Sequence, residues 1–154
     1  MDLGTSLETI LDVMVQAVQD AVDGSGSTDP LNRVKSVVRG DRARPMPALP
    51  SVWIVPQPAQ WKQADYGEEF WEFPVNVAAL VKGDSPATAG PLSQTIAAAA
   101  RAAVLACRES IRDEDVDIVD IVSRTFDPSA RSNERNRTLF WTDATVTVTF
   151  TATG

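Results

Sequence analysis

Sixteen residues, Thr138 to Thr153, carry the pattern of a β-strand longer than the domain that should hold it. From Asp143 onward the chain alternates strictly. Ala144, Val146, Val148, Phe150 and Ala152 fall on one side, and Thr145, Thr147, Thr149 and Thr151 on the other. Period-two alternation of β-branched and aromatic residues is the signature of a half-buried strand. At about 3.3 Å per residue such a strand spans roughly 50 Å. A compact chain of this length is only about 38 Å across. The strand is therefore expected to bend or to project, and a projecting strand would offer an unpaired edge to another subunit.

The 154 residues suit one domain able to build a core without disulfide or metal staples. No run approaches the length of a membrane span, and Asp2 and Glu8 stand where a signal peptide would carry basic residues. Folding in the cytoplasm, with no membrane partner, is the expectation. The lone cysteine, Cys107, lies in an Ala-rich helical pattern, and the chain has no histidine to activate it. A buried, inert thiol is expected.

A net charge of −7 argues against general nucleic-acid binding. The charge is uneven, however. Arg33 to Arg44 holds Arg33, Lys35, Arg39, Arg42 and Arg44 against Asp41, a local +4, and a second basic cluster joins Arg131, Arg135 and Arg137 against Glu134. Either cluster reads equally as a solvated edge or as a surface docking on an acidic protein ring or on DNA phosphates.

Local patterns predict the order α-β-β-β-α-β-β. Leu7, Ile10, Leu11, Met14, Val18, Ala21 and Val22 form the apolar stripe of a first helix, with Thr5 and Glu8 as a possible capping box. Gly24 to Pro30 closes it as a loop. Short strands are expected at Val34 to Arg39 and Ser51 to Val55, with Gln57 to Gly67 as a loop bearing Trp61 and Tyr66. Trp71 to Val81 alternates as a long strand, and Pro74 predicts an edge or a bulge there. Pro91 suits the first turn of an alanine-rich helix running to about Arg112. Val116 to Phe126 is a further strand whose alternation slips near Val119 and Asp120. A polar hairpin arm around 127–138 leads into the terminal strand. The fold class that follows is α+β: two helices packed on one face of a mainly antiparallel sheet with long projecting hairpins. The other face then needs polar side chains or a partner.

Catalytic, cofactor and metal motifs are hard to find. Without histidine there is no Ser-His-Asp or Cys-His site, and neither a Walker loop nor a CxxC pair is present. Asp113, Asp115 and Asp117, with Glu114 and Asp120 nearby, mimic the start of a calcium loop. That loop needs glycine at its sixth position and glutamate at its twelfth, where this chain has Ile118 and Arg124, so a solvated turn is the better reading. Asp65, Glu68, Glu69 and Glu72 lie near aromatic residues, and Glu68 and Glu72 share one strand parity. An acid-base pair would require burial; a wet strand face is the simpler account. Trp53 and Trp71 fit core packing, whereas Trp61, in a proline-flanked loop, suits a partner contact.

A leading helix, the stretch Pro-Ala-Leu-Pro-Ser-Val-Trp-Ile (Pro47 to Ile54), an aromatic long strand, an Ala-rich helix and a long C-terminal hairpin follow in order. This layout resembles the tail terminator, or tail-completion, proteins of long-tailed phages and related viruses. The resemblance covers nearly the whole chain and rests on layout, not on an invariant motif. It implies a non-enzymatic virion protein, assembled in the host cytoplasm and placed at the head-tail junction. There a ring, usually a homohexamer, caps the tail tube protein, stops its polymerisation and meets the neck or head-completion protein. Genomic DNA would pass through the lumen without specific binding, which a net-negative ring favours. Arg39, Arg42, Arg44, Trp61, Arg131, Arg135 and Arg137 are then the candidate interface residues. Another neck, head-completion or tube component is the near alternative, and a small α+β enzyme or ligand-binding protein the distant one. The threonine face of the last strand either stays wet or lines the ring.

Overall fold

The computed structural model describes residues 3–40, 48–83, 86–111, 117–127, 131–134 and 137–153. The elements are α1 (Leu3–Asp23), a short 3-10 turn (Pro30–Arg33), β1 (Ser36–Arg39), β2 (Ser51–Pro56), β3 (Gln60–Asp65), β4 (Glu68–Lys82), α2 (Pro86–Ala106), α3 (Arg108–Ile111), β5 (Asp117–Asp127), β6 (Arg131–Glu134) and β7 (Arg137–Thr153). The protein is an α+β fold with a mostly antiparallel sheet.

The sheet is built outward from one pair of strands. All fifteen residues of β4 pair antiparallel with β7, from Glu68 opposite Thr153 to Lys82 opposite Leu139. Each outer edge of that ribbon is filled by two strands lying end to end. On β4, β2 covers Val75 to Leu80 and β3 covers Glu68 to Glu72. On β7, β5 covers Asp143 to Thr151 and β6 covers Arg137 to Phe140. β1 then joins β2 in parallel. The expectation of an unpaired edge on the terminal strand is thereby corrected. β7 is a central strand with neighbours on both sides, and the outermost strands are β1 and β3 on one side and β5 and β6 on the other. Alternation tells which face of a strand is buried but carries no information about its neighbours.

Pro74 explains how a central strand tolerates a proline. It sits in the gap between β2 and β3, and its carbonyl accepts from Gln57 N at 3.0 Å on that side. A residue in a strand points its N–H and C=O the same way. The missing donor of Pro74 therefore faces the gap, where no strand needs it. The β5 register shifts between Ile118 and Asp120, where the slip in alternation predicts a bulge, and again between Ser123 and Thr125.

The core lies between the helices and one face of the sheet. Val52 and Ile54 of β2, Phe73, Val75, Val77, Ala79 and Val81 of β4, and Val146, Val148 and Phe150 of β7 are buried there. From the helices come Ile10, Leu11, Met14 and Val18 of α1 and Ile96, Ala97, Ala100 and Val104 of α2. A buried hydrogen bond between the Ser93 and Thr142 hydroxyls, 3.1 Å long, ties α2 to β7. No described element packs over the opposite sheet face. There Thr145 donates to Asn76 Oδ1 at 3.0 Å, and Thr149 stands opposite Glu72. Trp53 also lies on this face, half-buried and outside the main core, contrary to the core position expected for it. Its indole N–H donates to Ser51 Oγ at 2.7 Å.

Three local expectations shift. α1 starts at Leu3, so Thr5 lies inside the helix and is not its cap; its carbonyl accepts from Thr9 Oγ1. α2 starts at Pro86, which leaves Pro91 inside the helix. It ends at Ala106, and after Cys107 one further turn, α3, runs to Ile111.

Candidate functional site

The stretch read as a loop, Gln57 to Gly67, contains strand β3, and with β4 it forms a hairpin from Gln60 to Glu72. Every residue of β3 is exposed. The sequence Gln-Trp-Lys-Gln-Ala-Asp has no apolar alternation, so nothing but pairing with β4 identifies it as a strand. At the tip, Tyr66 and Gly67 both have positive φ, 48° and 84°. Two such residues between antiparallel strands match the type I′ turn, whose twist suits a hairpin. Asn, Asp or Gly normally occupies the first of these positions: glycine has no Cβ to clash, and the short polar side chains of Asn and Asp offset the clash by local hydrogen bonding. Here the position holds a tyrosine that is 100% exposed and so gains no packing for that cost.

The hairpin is acidic and aromatic. Asp65, Glu68, Glu69 and Glu72 face a single cation, Lys62, giving a net −3. Lys62 pairs with Glu72 at 3.2 Å, and Trp71 donates its indole N–H to Glu69 at 3.1 Å. Asp65 and Glu68 stand directly opposite each other across the turn. Like charges in that arrangement repel. Trp61, opposite Trp71, is 54% exposed, whereas Trp71 packs against the core.

The candidate interface residues thus separate. Trp61 is on the exposed strand. Arg39 is buried at the end of β1 and reaches α1 within its own chain: Nη1 lies 2.8 Å from Glu8 Oε2 and 3.3 Å from Asp12 Oδ1. Its guanidinium joins β1 to α1, a contact that the basic run around it does not reveal. The carboxyl of Glu8, expected in a capping box, is spent on this bridge. Arg42, Arg44 and Arg135 lie outside the described residues, as do Asp113, Glu114 and Asp115. Arg131 and Arg137 sit on the β6–β7 hairpin, with Arg131 in register with Phe140 and Arg137 with Glu134. That hairpin runs along the edge of β7, with Leu139 and Phe140 also paired to β4.

Among the described residues, no three histidine, cysteine, aspartate or glutamate side chains converge as a metal site, and no helix is long and apolar enough to cross a membrane. Cys107 is buried, as expected, and its thiol donates to the Val104 carbonyl at 2.8 Å. Burial pushes the thiol up to about 11, partly offset by backbone hydrogen bonding. Since the thiolate is the reactive form, iodoacetamide at pH 8 should label the folded protein at least about 100-fold more slowly than the urea-unfolded chain. Equal rates would mean that the thiol is accessible. Neither a family model nor a curated protein matches the chain.

Proposed function

We propose that this protein is a virion structural protein at the head-tail junction. It acts as a tail terminator: a ring of identical subunits that caps the tail tube, halts its polymerisation and offers its other surface to the neck or head-completion protein. The observation that carries the reading is the β3–β4 hairpin. It presents Trp61, Tyr66 and an outermost strand to a partner. A strand edge with flanking aromatics is suited to protein assembly. The reading also rests on the order of elements in the sequence, which resembles that of the tail terminator proteins. The role is structural and non-enzymatic. DNA passes through the lumen without specific binding, and the net-negative chain does not hold it.

The experiment is addition of the purified protein to polymerising tail tubes, followed by negative-stain imaging. Substoichiometric protein is expected to stop growth and to leave a ring of density at tube ends. A monomer that neither binds tubes nor limits their length overturns the proposal. Binding to head connectors alone would move the assignment to a head-completion role.

A further inference from the structure

The acidic hairpin and the residues Arg33 and Lys35 just before β1 lie toward opposite ends of β4. Lys35 N donates to the Pro50 carbonyl at 2.8 Å, just before Ser51, which is in register with Leu80 of β4. The hairpin tip follows Asp65, in register with Glu68 at the other end of the same strand. Between those levels lie about a dozen residues of β4, or roughly 40 Å at about 3.3 Å per residue. The hairpin cannot fold back on the basic segment of its own chain, but it can reach the same segment of another copy.

The charges of the two ends correspond. The hairpin carries −3. Of the described basic residues of this segment, Arg39 is engaged by Glu8 and Asp12, which leaves Arg33 and Lys35 and a local +2. Arg33 and Lys35 are exposed. On the hairpin, Asp65 and Glu68 repel each other across the turn without an ion pair among the described residues, and Tyr66 holds an unfavourable backbone angle in full solvent exposure. A cationic partner relieves the repulsion, and a contact at the tip gives the aromatic ring surface to cover.

We infer that the β3–β4 hairpin of one subunit docks head-to-tail on the basic segment around Arg33 and Lys35 of a second copy, with Trp61 and Tyr66 as anchors inside a rim of opposite charge. Such a contact is heterologous: the two surfaces differ, so a copy that docks through one keeps the other free for a further copy. Repetition closes into a ring when the rotation permits, and otherwise gives an open filament. The regular edge available for main-chain addition is short, because the register breaks between Trp61 and Gln63. Side chains therefore carry the contact. The inference deepens the ring reading and rests on it for its biological setting.

The test is a charge exchange. One variant carries Asp65→Lys and Glu68→Lys, the other Arg33→Glu and Lys35→Glu; all four positions are exposed, and circular dichroism confirms folding. Mass is measured by light scattering at low and high salt. Wild type is expected to form a defined oligomer that weakens with salt, and each variant alone at least tenfold less oligomer. An equimolar mixture is expected to recover it, since each acidic surface then meets a basic one. Variants that assemble alone as wild type does overturn the contact, as does a mixture that stays dissociated. Should wild-type rings form through this contact yet fail to cap tubes, the contact stands and the terminator role falls. Should tubes be capped by rings indifferent to these charges, the terminator role stands and the contact falls.

Discussion

Phe150→Ala is expected to lower the free energy of unfolding by about 3–5 kcal/mol. Phe150 is fully buried on β7, opposite Trp71 of β4 and Ile118 of β5, so backbone hydrogen-bonded on both sides holds the site in place. Walls anchored in that way collapse poorly around a lost ring, and a cavity that stays open adds to the lost transfer energy. Domains of this size have only about 5–15 kcal/mol to lose. The check is urea denaturation followed by tryptophan fluorescence, in which the midpoint should fall while the slope stays constant. Tyr66→Ala, fully exposed, serves as the comparison and should move the free energy by no more than about 0.5 kcal/mol. Equal effects at the two positions would contradict the placement of the core.

Ala100→Leu should cost about 1–3 kcal/mol for the opposite reason, excess volume. α2 packs against β4, β7 and α1, and Ala97 and Ala100 have no exposed surface. Three added carbons at Ala100 would have to push the helix away or adopt strained rotamers. Ala98, two residues earlier, is exposed, and the same substitution there should be nearly neutral. Thermal denaturation of the pair checks this. If Ala98→Leu and Ala100→Leu melt together, α2 does not approach its neighbours as closely as its alanines suggest.

What could be read from residues alone was whatever is periodic. The stripe from Ile10 to Val18, the alternation from Phe73 to Val81 and that from Ala144 to Ala152 each identify an element and its buried face. Even the bulge near Val119 left a trace, because an extra residue interrupts the period. Strand β3 left none, since a strand exposed throughout has no need to alternate and owes its form to β4. The place of β7 between β4 and β5 was likewise hidden, because pairing partners are distant in sequence. Arg39 shows the same limit at the level of a single side chain. Its basic neighbours suggested a surface patch, yet its bridge depends on Glu8 and Asp12 lying alongside once α1 has packed. The exposure of Trp61 was legible because an isolated tryptophan amid polar residues has no local core to enter.

The β4–β7 ribbon also sets the order in which the molecule can be made. During synthesis β4 emerges well before β7, with α2, α3, β5 and β6 between them. At about 5–20 residues per second the delay is several seconds. Throughout it, the row from Phe73 to Val81 lacks the neighbour that will pair with its whole length. Pairing across such a distance in sequence folds slowly, because loop closure must come before the contacts that reward it. The nascent chain is therefore most prone to aggregate in this interval, and a chaperone that holds β4 until β7 arrives would raise the yield of native protein more than it would raise its stability.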